Sequence, residues 1–443
     1  MNPEELNLNK TPNNIQELQK WTSARLAGRQ QRILRFNTLL RLLNISINPT
    51  KIIKLAGTNG KGSVGAMLES IAIADHKKVG LYTSPHLNRI TERLRFNKEE
   101  ISQTSLDQAV RKIAPTLQAL VNQHGLHLLP SFFEVLTLIA LDYFQCCGAD
   151  IMILEAGIGG YNDILHLIPG DIAVITSVAL DHTDELGTTL SAIGADKAGI
   201  ASPNSTLVLG LDIPKSALMA ILDDARGRGV TIVHSHPEIF QVESLGFQGS
   251  QITIPQEKLT FVLPLLGSFQ IENLGTAKAV VDLLIWKGKI NNQTSLAGVS
   301  QVSCLGRMEV IPGNPTWLLD VAHNAHGIHK VARNLSQLTE GKKLAILLGL
   351  SDHNKVTEIV TYIRVLREVF SCSIYLTDGF YKAQNPADYL PALQDVTKLQ
   401  TLGEYEATLK FLLQTYEHQE DAVILVTGSL FLVGVCRDYL LNQ

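Results

Sequence analysis

Short apolar runs alternate with longer amphipathic stretches along most of the chain. The run Ile52-Ile53-Lys54-Leu55 is followed by an amphipathic segment over 64–74, and Val79-Gly80-Leu81-Tyr82 by helical stretches over 102–123 and 131–146. Apolar runs at 151–155 and 172–176 then lead into a helical stretch at 189–200 and a further run at 207–209. Strand–helix alternation of this kind implies βαβ units and a mostly parallel sheet. Between 239 and 266 the runs shorten and are separated by turn residues, which reads as a small antiparallel sheet. A helix over 273–287 ends in the polar stretch 288–295. A second α/β series follows, with strands at 317–320, 344–348, 374–376 and 423–426, helices at 327–337 and 355–367, and a closing helix.

Composition keeps this reading and narrows the setting. The 443 residues are 45% hydrophobic and 18% charged, enough for two or three domains and ordinary for a globular protein. A net charge of −4 offers no global attraction for nucleic acid or anionic membrane, so local lysines must handle any phosphate. The five cysteines (Cys146, Cys147, Cys304, Cys372, Cys436) contain no C-x-x-C pair, and their odd number argues against a disulfide framework. Residues 1–20 are polar, unlike a signal peptide, and no apolar stretch reaches the ~20 residues of a membrane helix. A cytoplasmic protein without nucleic-acid or membrane partners is expected.

The most specific local signal follows the first apolar run: Ala56-Gly57-Thr58-Asn59-Gly60-Lys61-Gly62-Ser63. Glycines let the backbone turn tightly so that successive N–H groups face phosphate oxygens, and the start of a helix adds its positive end. Lys61 then brings a full charge to the β/γ-phosphates, and Ser63 a hydroxyl near the metal. The pattern G-x-x-x-x-G-K-[ST] is not met, because Gly62 separates Lys61 from Ser63. An ordinary glycine-rich turn is the alternative. Strand, turn, lysine and helix nevertheless occur in the order that phosphate binding requires, and they support an ATP site. The expected fold is α/β: a P-loop-containing, mostly parallel sheet flanked by helices, with a second, smaller Rossmann-like α/β domain.

Ligands of open α/β sheets sit at the carboxyl ends of strands, and several polar clusters fall there. Thr83-Ser84-Pro85-His86-Leu87 can ligate a metal or cap a turn. Glu155, ahead of Ala156-Gly157-Ile158-Gly159-Gly160, is costly to bury unless paired or on a metal; Mg²⁺ for a nucleotide needs such a carboxylate. In Ser177-Val178-Ala179-Leu180-Asp181-His182-Thr183, His182 is a metal ligand or a loop histidine. Lys197, in Asp196-Lys197-Ala198-Gly199-Ile200, suits a helix C-terminus. Later come Gly306-Arg307, then Asp320-Val321-Ala322-His323-Asn324, which suits helix capping or nucleotide or amino-acid recognition, and Thr427-Gly428-Ser429, read as a cap.

Taken in this order, the eight segments resemble the folylpolyglutamate synthase/dihydrofolate synthase family of bacterial bifunctional type, relatives of the Mur ligases, over nearly the whole chain. The resemblance implies an ATP-binding central domain over 1–297, which includes the small sheet, and a C-terminal glutamate-ligase domain over 298–443. It implies Mg²⁺ on Ser84, Glu155 and His182. It also implies a carbamate on Lys197, which demands a neutral amine and hence a lowered pKa. ATP contacts are expected from Gly57, Thr58, Asn59, Gly60, Lys61, Gly62, Ser63, Asn273, Arg307 and Asp320, the last two reaching from the smaller domain on closure. Lys61, Lys197 and His182 are the catalytic candidates. Phe133, Glu134, Asn162, Asp163 and His323 are the substrate candidates.

The implied reaction is ATP-dependent amide formation by a monomer. A carboxylate of a pterin-bearing substrate attacks the γ-phosphorus and releases ADP, and the amine of L-glutamate displaces phosphate from the acyl phosphate. Departures fall mainly after the glycine pair, where the family has Arg-x-Asp-x-Thr-Asn and this chain has Tyr161-Asn162-Asp163-Ile164-Leu165-His166. Family members contact the pterin there, so the change bears on substrate identity. Smaller departures are Asp196 in place of Glu, Ala325 in place of Pro, and Asp352-His353-Asn354 in place of Asp-Lys-Asp. Two alternatives stay open: an amide ligase for a non-folate carboxylate, and a weakly catalytic nucleotide-binding paralogue.

Overall fold

The computed structural model describes residues 11–22, 29–125, 128–291, 293–351 and 355–442. The first part of the chain runs α1 (Ile15–Trp21), α2 (Arg29–Leu42), β1 (Ile52–Ala56), α3 (Lys61–Ala74), β2 (Val79–Tyr82), β3 (Leu94–Phe96) and β4 (Glu99–Glu100). It continues through α4 (Gln103–His124), α5 (Phe132–Cys146), β5 (Ile151–Glu155), β6 (Ile172–Ser177), α6 (Thr183–Leu186), α7 (Leu190–Ala198), β7 (Thr206–Asp212), α8 (Lys215–Gly227) and β8 (Thr231–His234). These strands form one eight-stranded sheet, in the order β4-β3-β2-β5-β1-β6-β7-β8. The strands from β2 to β8 are parallel, and the antiparallel β3 and β4 lie at one edge. Every residue of β1, β2, β5 and β6 is buried, as in strands covered on both faces. Helix starts follow their caps: Ser102 and Ser131 accept the Ser105 and Glu134 N–H groups.

Next come β9 (Gln241–Ser244), β10 (Ser250–Ile254) and β11 (Leu259–Leu263), an antiparallel sheet as the pattern implied, and α9 (Ser268–Trp286). The last part runs β12 (Arg307–Ile311), β13 (Thr316–Asp320), α10 (Ala325–Leu338), β14 (Lys343–Leu348), α11 (Val356–Val369), β15 (Ser373–Asp378), β16 (Leu399–Glu404), α12 (Tyr405–Tyr416), β17 (Ala422–Thr427) and α13 (Leu430–Leu441). Its six strands order as β12-β13-β17-β14-β15-β16, parallel except for β12. The strand β16 escaped the sequence pattern because it is a largely exposed edge without apolar alternation.

The chain divides into two compact units. One holds the chain up to Val178 with His182–Ser235 and Ala277–Leu296; the other holds Ala179–Asp181, His236–Thr276 and the chain from Ala297. This division by contact differs from the expected 1–297/298–443 division in where the small sheet falls. Phe247, Leu266 and Phe269 belong to the apolar cluster of Leu318, Ile346 and Leu348, which ties the segment 236–276 to the later strands. Among the described residues, no helix is long and apolar enough to cross a membrane.

Candidate nucleotide and metal site

In the first unit, β1 ends at Ala56 and the chain turns through Gly57, whose φ of 148° and lack of a Cβ let it pass against the Thr176 hydroxyl. The end of β6 braces the turn. The Thr176 hydroxyl donates to the Asn59 carbonyl at 2.6 Å, and the Ser177 carbonyl accepts the Thr58 N–H at 3.0 Å. The Ser177 hydroxyl accepts the Asn59 N–H at 2.9 Å. Helix α3 begins directly after Gly60, with Ser63 buried in its first turn. Lys61 Nζ donates to the carbonyls of Gly57 (2.8 Å) and Thr58 (3.4 Å), so the ammonium lies over its own turn.

The carboxylate of Glu155, at the end of β5, stands next to that turn. A Cβ on Gly62 would lie 3.9 Å from its Oε2. Glu155 is 4% exposed, and Oε2 accepts the Ser84 N–H at 3.3 Å. The Ser84 hydroxyl is buried with no hydrogen-bond partner. An orphaned buried hydroxyl beside a buried carboxylate is a donor set for a hard divalent cation, and these residues fit Mg²⁺. Arg93 lies near enough to feel the Glu155 charge, and its Nε donates to His86 Nδ1 at 2.9 Å. Burial, with the Arg93 charge, pushes His86 down to about 4, so this imidazole is a neutral acceptor. His182 is exposed, with a φ of 49°, and its carbonyl starts α6 by accepting the Glu185 and Leu186 N–H groups. Among the described residues no three His, Cys, Asp or Glu side chains converge.

Lys197 is 3% exposed in the last turn of α7. The substrate candidates sit around the loop after β5. Asp163 shapes that loop: Oδ2 accepts the N–H groups of Gly157 (2.8 Å) and Ile158 (3.3 Å), and Oδ1 that of Leu165 (2.9 Å). Burial lifts its carboxyl to about 6 despite these bonds and the Arg32 charge. Both Glu134 oxygens are held by Arg35 (2.7 and 2.6 Å), and one also accepts the Ser131 N–H. The Phe133 ring packs on Tyr82 at 5.7 Å. Asn162 is exposed; its carbonyl accepts from Arg32 at 2.7 Å and its amide donates to Glu185 O at 3.4 Å.

The departures at 161 and 166 fall on side chains held by the helices of this unit. The Tyr161 hydroxyl donates to Asp224 at 2.6 Å and His166 Nδ1 contacts the Gly199 carbonyl at 2.7 Å, so both side chains bind α8 and the end of α7. The sequence reading also passed over Lys54. It is fully buried in β1, and its Nζ donates to the carbonyls of Leu165 (3.2 Å) and Ile168 (2.7 Å) and to Ser202 Oγ (3.1 Å). Burial, with the Arg228 charge, brings its pKa down to about 7. The available signal was a lone lysine inside an apolar strand.

The second unit carries the remaining candidates. Asp320, 4% exposed at the end of β13, accepts the Met308 N–H (2.9 Å) on Oδ2 and the Ala322 N–H (2.8 Å) on Oδ1. Burial raises its carboxyl to about 6, with Arg307 opposing. Arg307 faces Asp320 across the β12–β13 ladder, beside a bulge at Met308. The Asn273 amide donates to Gln270 Oε1 at 2.9 Å. His323 Nδ1 lies 3.0 Å from the Val321 carbonyl, so this nitrogen carries the proton, and Asn324 caps α10. Asp352, His353 and Asn354 lie outside the described residues.

Residues 55–281 match the Mur ligase middle domain, and residues 306–430 the Mur ligase glutamate ligase domain. The dihydrofolate synthase/folylpolyglutamate synthase of Haemophilus influenzae is 30% identical over 333 residues, 70% of this chain and 72% of its own length. The chain spans about half (46%) of another relative, the probable bifunctional folylpolyglutamate synthase/dihydropteroate synthase of Halobacterium salinarum, at 29% identity. Folylpolyglutamate synthase of Mycobacterium tuberculosis, solved with ADP and AMPPCP, aligns with a TM-score of 0.82 at 26% identity, covering 96% of this chain and 98% of that one. The bifunctional synthase of Yersinia pestis, solved with AMPPNP and a manganese ion, aligns at 0.78 and 25%, covering 97% and 100%. The chain belongs to the folylpolyglutamate synthase/dihydrofolate synthase family of the Mur ligase superfamily.

Proposed function

We propose that this protein is an ATP-dependent ligase that joins L-glutamate to dihydropteroate, to folyl(poly)glutamate, or to both. The observation that carries the reading is the placement of the buried Glu155 carboxylate beside the Lys61-Gly62-Ser63 turn, with the orphaned Ser84 hydroxyl next to it. A phosphate turn and a cation donor set then share one strand-end edge. Lys61 moves from its own carbonyls onto the transferring phosphate and neutralises charge there. Ser84, Glu155 and His182 hold Mg²⁺, which supplies Lewis-acid neutralisation of the phosphates when bound. Lys197, as a carbamate, adds a carboxylate-like ligand. Asn273, Arg307 and Asp320 bind the nucleotide, and Phe133, Glu134, Asn162, Asp163 and His323 are assigned to substrate.

The chemistry needs no covalent enzyme intermediate. A substrate carboxylate oxygen bonds to the γ-phosphorus as the bond to ADP breaks; the glutamate nitrogen then bonds to the acyl carbon, phosphate leaves, and the nitrogen loses a proton. Purified protein with ATP, Mg²⁺, L-glutamate and either dihydropteroate or tetrahydrofolate should release ADP only when glutamate is present. ATP binding without glutamate-dependent turnover on either pterin would sink the reading and favour a non-folate ligase or a nucleotide-binding paralogue.

A further inference from the structure

The C-terminal end of α7 is buried, and a buried helix end needs partners for its last carbonyls. Ala198, Ile200 and Ala201 are each at most 1% exposed. The partners come from two places far away in sequence. Arg228, which follows α8, donates from one Nη to the Ala198 carbonyl at 2.8 Å and from the other to the Ala201 carbonyl. His166 Nδ1 reaches the Gly199 carbonyl, and the Tyr161 N–H donates to the Asp196 carbonyl at 2.8 Å. Asp224 binds both Arg228 and the Tyr161 hydroxyl, and so fixes the guanidinium beneath the turn.

The aromatic residues complete the brace. The guanidinium lies 5.5 Å from the Tyr161 ring centroid, and the Tyr161 and His166 rings are 4.8 Å apart. The Tyr161 ring lies so close to Gly199 that a Cβ there would meet Tyr161 Cγ at 2.4 Å. Lys197 lies inside this braced turn, between the carbonyls that Tyr161 and Arg228 hold. A cation at a helix C-terminus is favourable in itself. Here it also binds the carbonyl of Ala198, directly after the candidate ligand, while the Tyr161 N–H holds that of Asp196, directly before it.

We infer that Tyr161 and Arg228, linked through Asp224, are positioning residues that fix the Lys197 turn for metal-site assembly, so that the departure at 161 tunes the metal side of the reaction and not the choice of substrate. The inference rests on the assignment of Lys197 as a carbamate. Residues that orient a metal ligand typically change affinity or activity ~10- to 100-fold when removed.

The test uses the full chain equilibrated with ¹³C-bicarbonate, with the carbamate resonance read by NMR and the Mg²⁺ concentration for half-maximal turnover measured alongside. Wild type should give a resonance that Lys197→Ala lacks. In Arg228→Met the resonance should shrink and the half-saturating Mg²⁺ concentration should rise about tenfold. Tyr161→Phe keeps the ring over Gly199 and removes only the Asp224 bond, so it folds as wild type and should show the same changes in smaller measure. If both variants keep the wild-type resonance and Mg²⁺ dependence, and only their melting temperatures move, the brace is structural and the inference is overturned. A wild type without a Lys197-dependent resonance, whose turnover survives Lys197→Ala, overturns the carbamate assignment itself and the inference with it. That failure shows in protein unaltered at 161 and 228.

Discussion

The phosphate turn after β1 and the loop after β5 are both strand-end segments of the first sheet, both rich in glycine, and they are built in opposite ways. The turn at 57–63 is held mainly by its own backbone and by two hydroxyls of the adjacent strand end, Thr176 and Ser177. Among the described residues its charged group, Lys61, bonds to carbonyls three and four residues back. The loop at 157–166 is held by side chains from all over the unit: Asp196, Arg32, Lys54, Asp224 and, through its own His166, the end of α7. Under the proposed function, the segment that receives a mobile phosphate keeps its cation on its own turn's carbonyls. A segment that must present fixed groups is tied down on every side.

By that contrast Lys61, within the turn, and Lys54, which ties down the loop after β5, behave differently. Lys61→Ala should abolish glutamate-dependent ADP release, by about a thousandfold or more, since a charge aimed at the transferring phosphoryl group is lost. Its melting temperature should stay within about 2 °C of wild type, because no contact outside its own turn is removed. Turnover and thermal melts on the same preparation decide it. A large loss of stability would mean that Lys61 is part of the scaffold.

Lys54→Met tests the opposite case, through pH. The folded pKa of Lys54 is about 7 and the unfolded value 10.5, so between them the unfolded chain holds a proton that the folded chain has released. Stability therefore rises with pH through this window as the cost of burying the charge disappears. From pH 7 to 9 wild type should gain about 2 kcal/mol relative to Lys54→Met, the slope approaching about 1.4 kcal/mol per pH unit once the folded lysine is deprotonated. Urea midpoints of both proteins at each pH give the difference. A constant gap would show that Lys54 keeps its proton when folded.

The same contrast explains what could be read from the chain alone. The strand order in time, the antiparallel insert and the phosphate turn depend on residues adjacent in sequence, and alternation and glycine spacing report them. Glu155 stood out because it closes an apolar run, whereas Ser84, two residues past Tyr82, read equally as a turn cap until the family resemblance was considered. The small sheet was seen, but its attachment to the later strands was not, since it rests on Phe247, Leu266 and Phe269 meeting a core about 70 residues onward. Tyr161 and His166 looked like an altered substrate loop. Their partners, Asp224 and Gly199, lie 63 and 33 residues away on helices whose pairing no local pattern announces.

The mildest test lies between the two regimes, at Asp196, where the family carries Glu. Asp196 Oδ1 accepts the Gly160 N–H at 2.8 Å while its carbonyl accepts the Tyr161 N–H, so one residue ties Gly160 and Tyr161 to the Lys197 turn. Asp196→Glu keeps the charge and adds one methylene. The side chain must then fold back to keep the Gly160 bond or give it up, a loss of about 1 kcal/mol and hence about fivefold in turnover. The backbone bond to Tyr161 is untouched, so the melting temperature should move by only about 2–4 °C. A gain in turnover would show that the brace at Tyr161 and Arg228 tolerates the family's longer carboxylate. A loss beyond about a hundredfold would mean that Asp196 acts on the reacting groups directly and not through the position of Lys197.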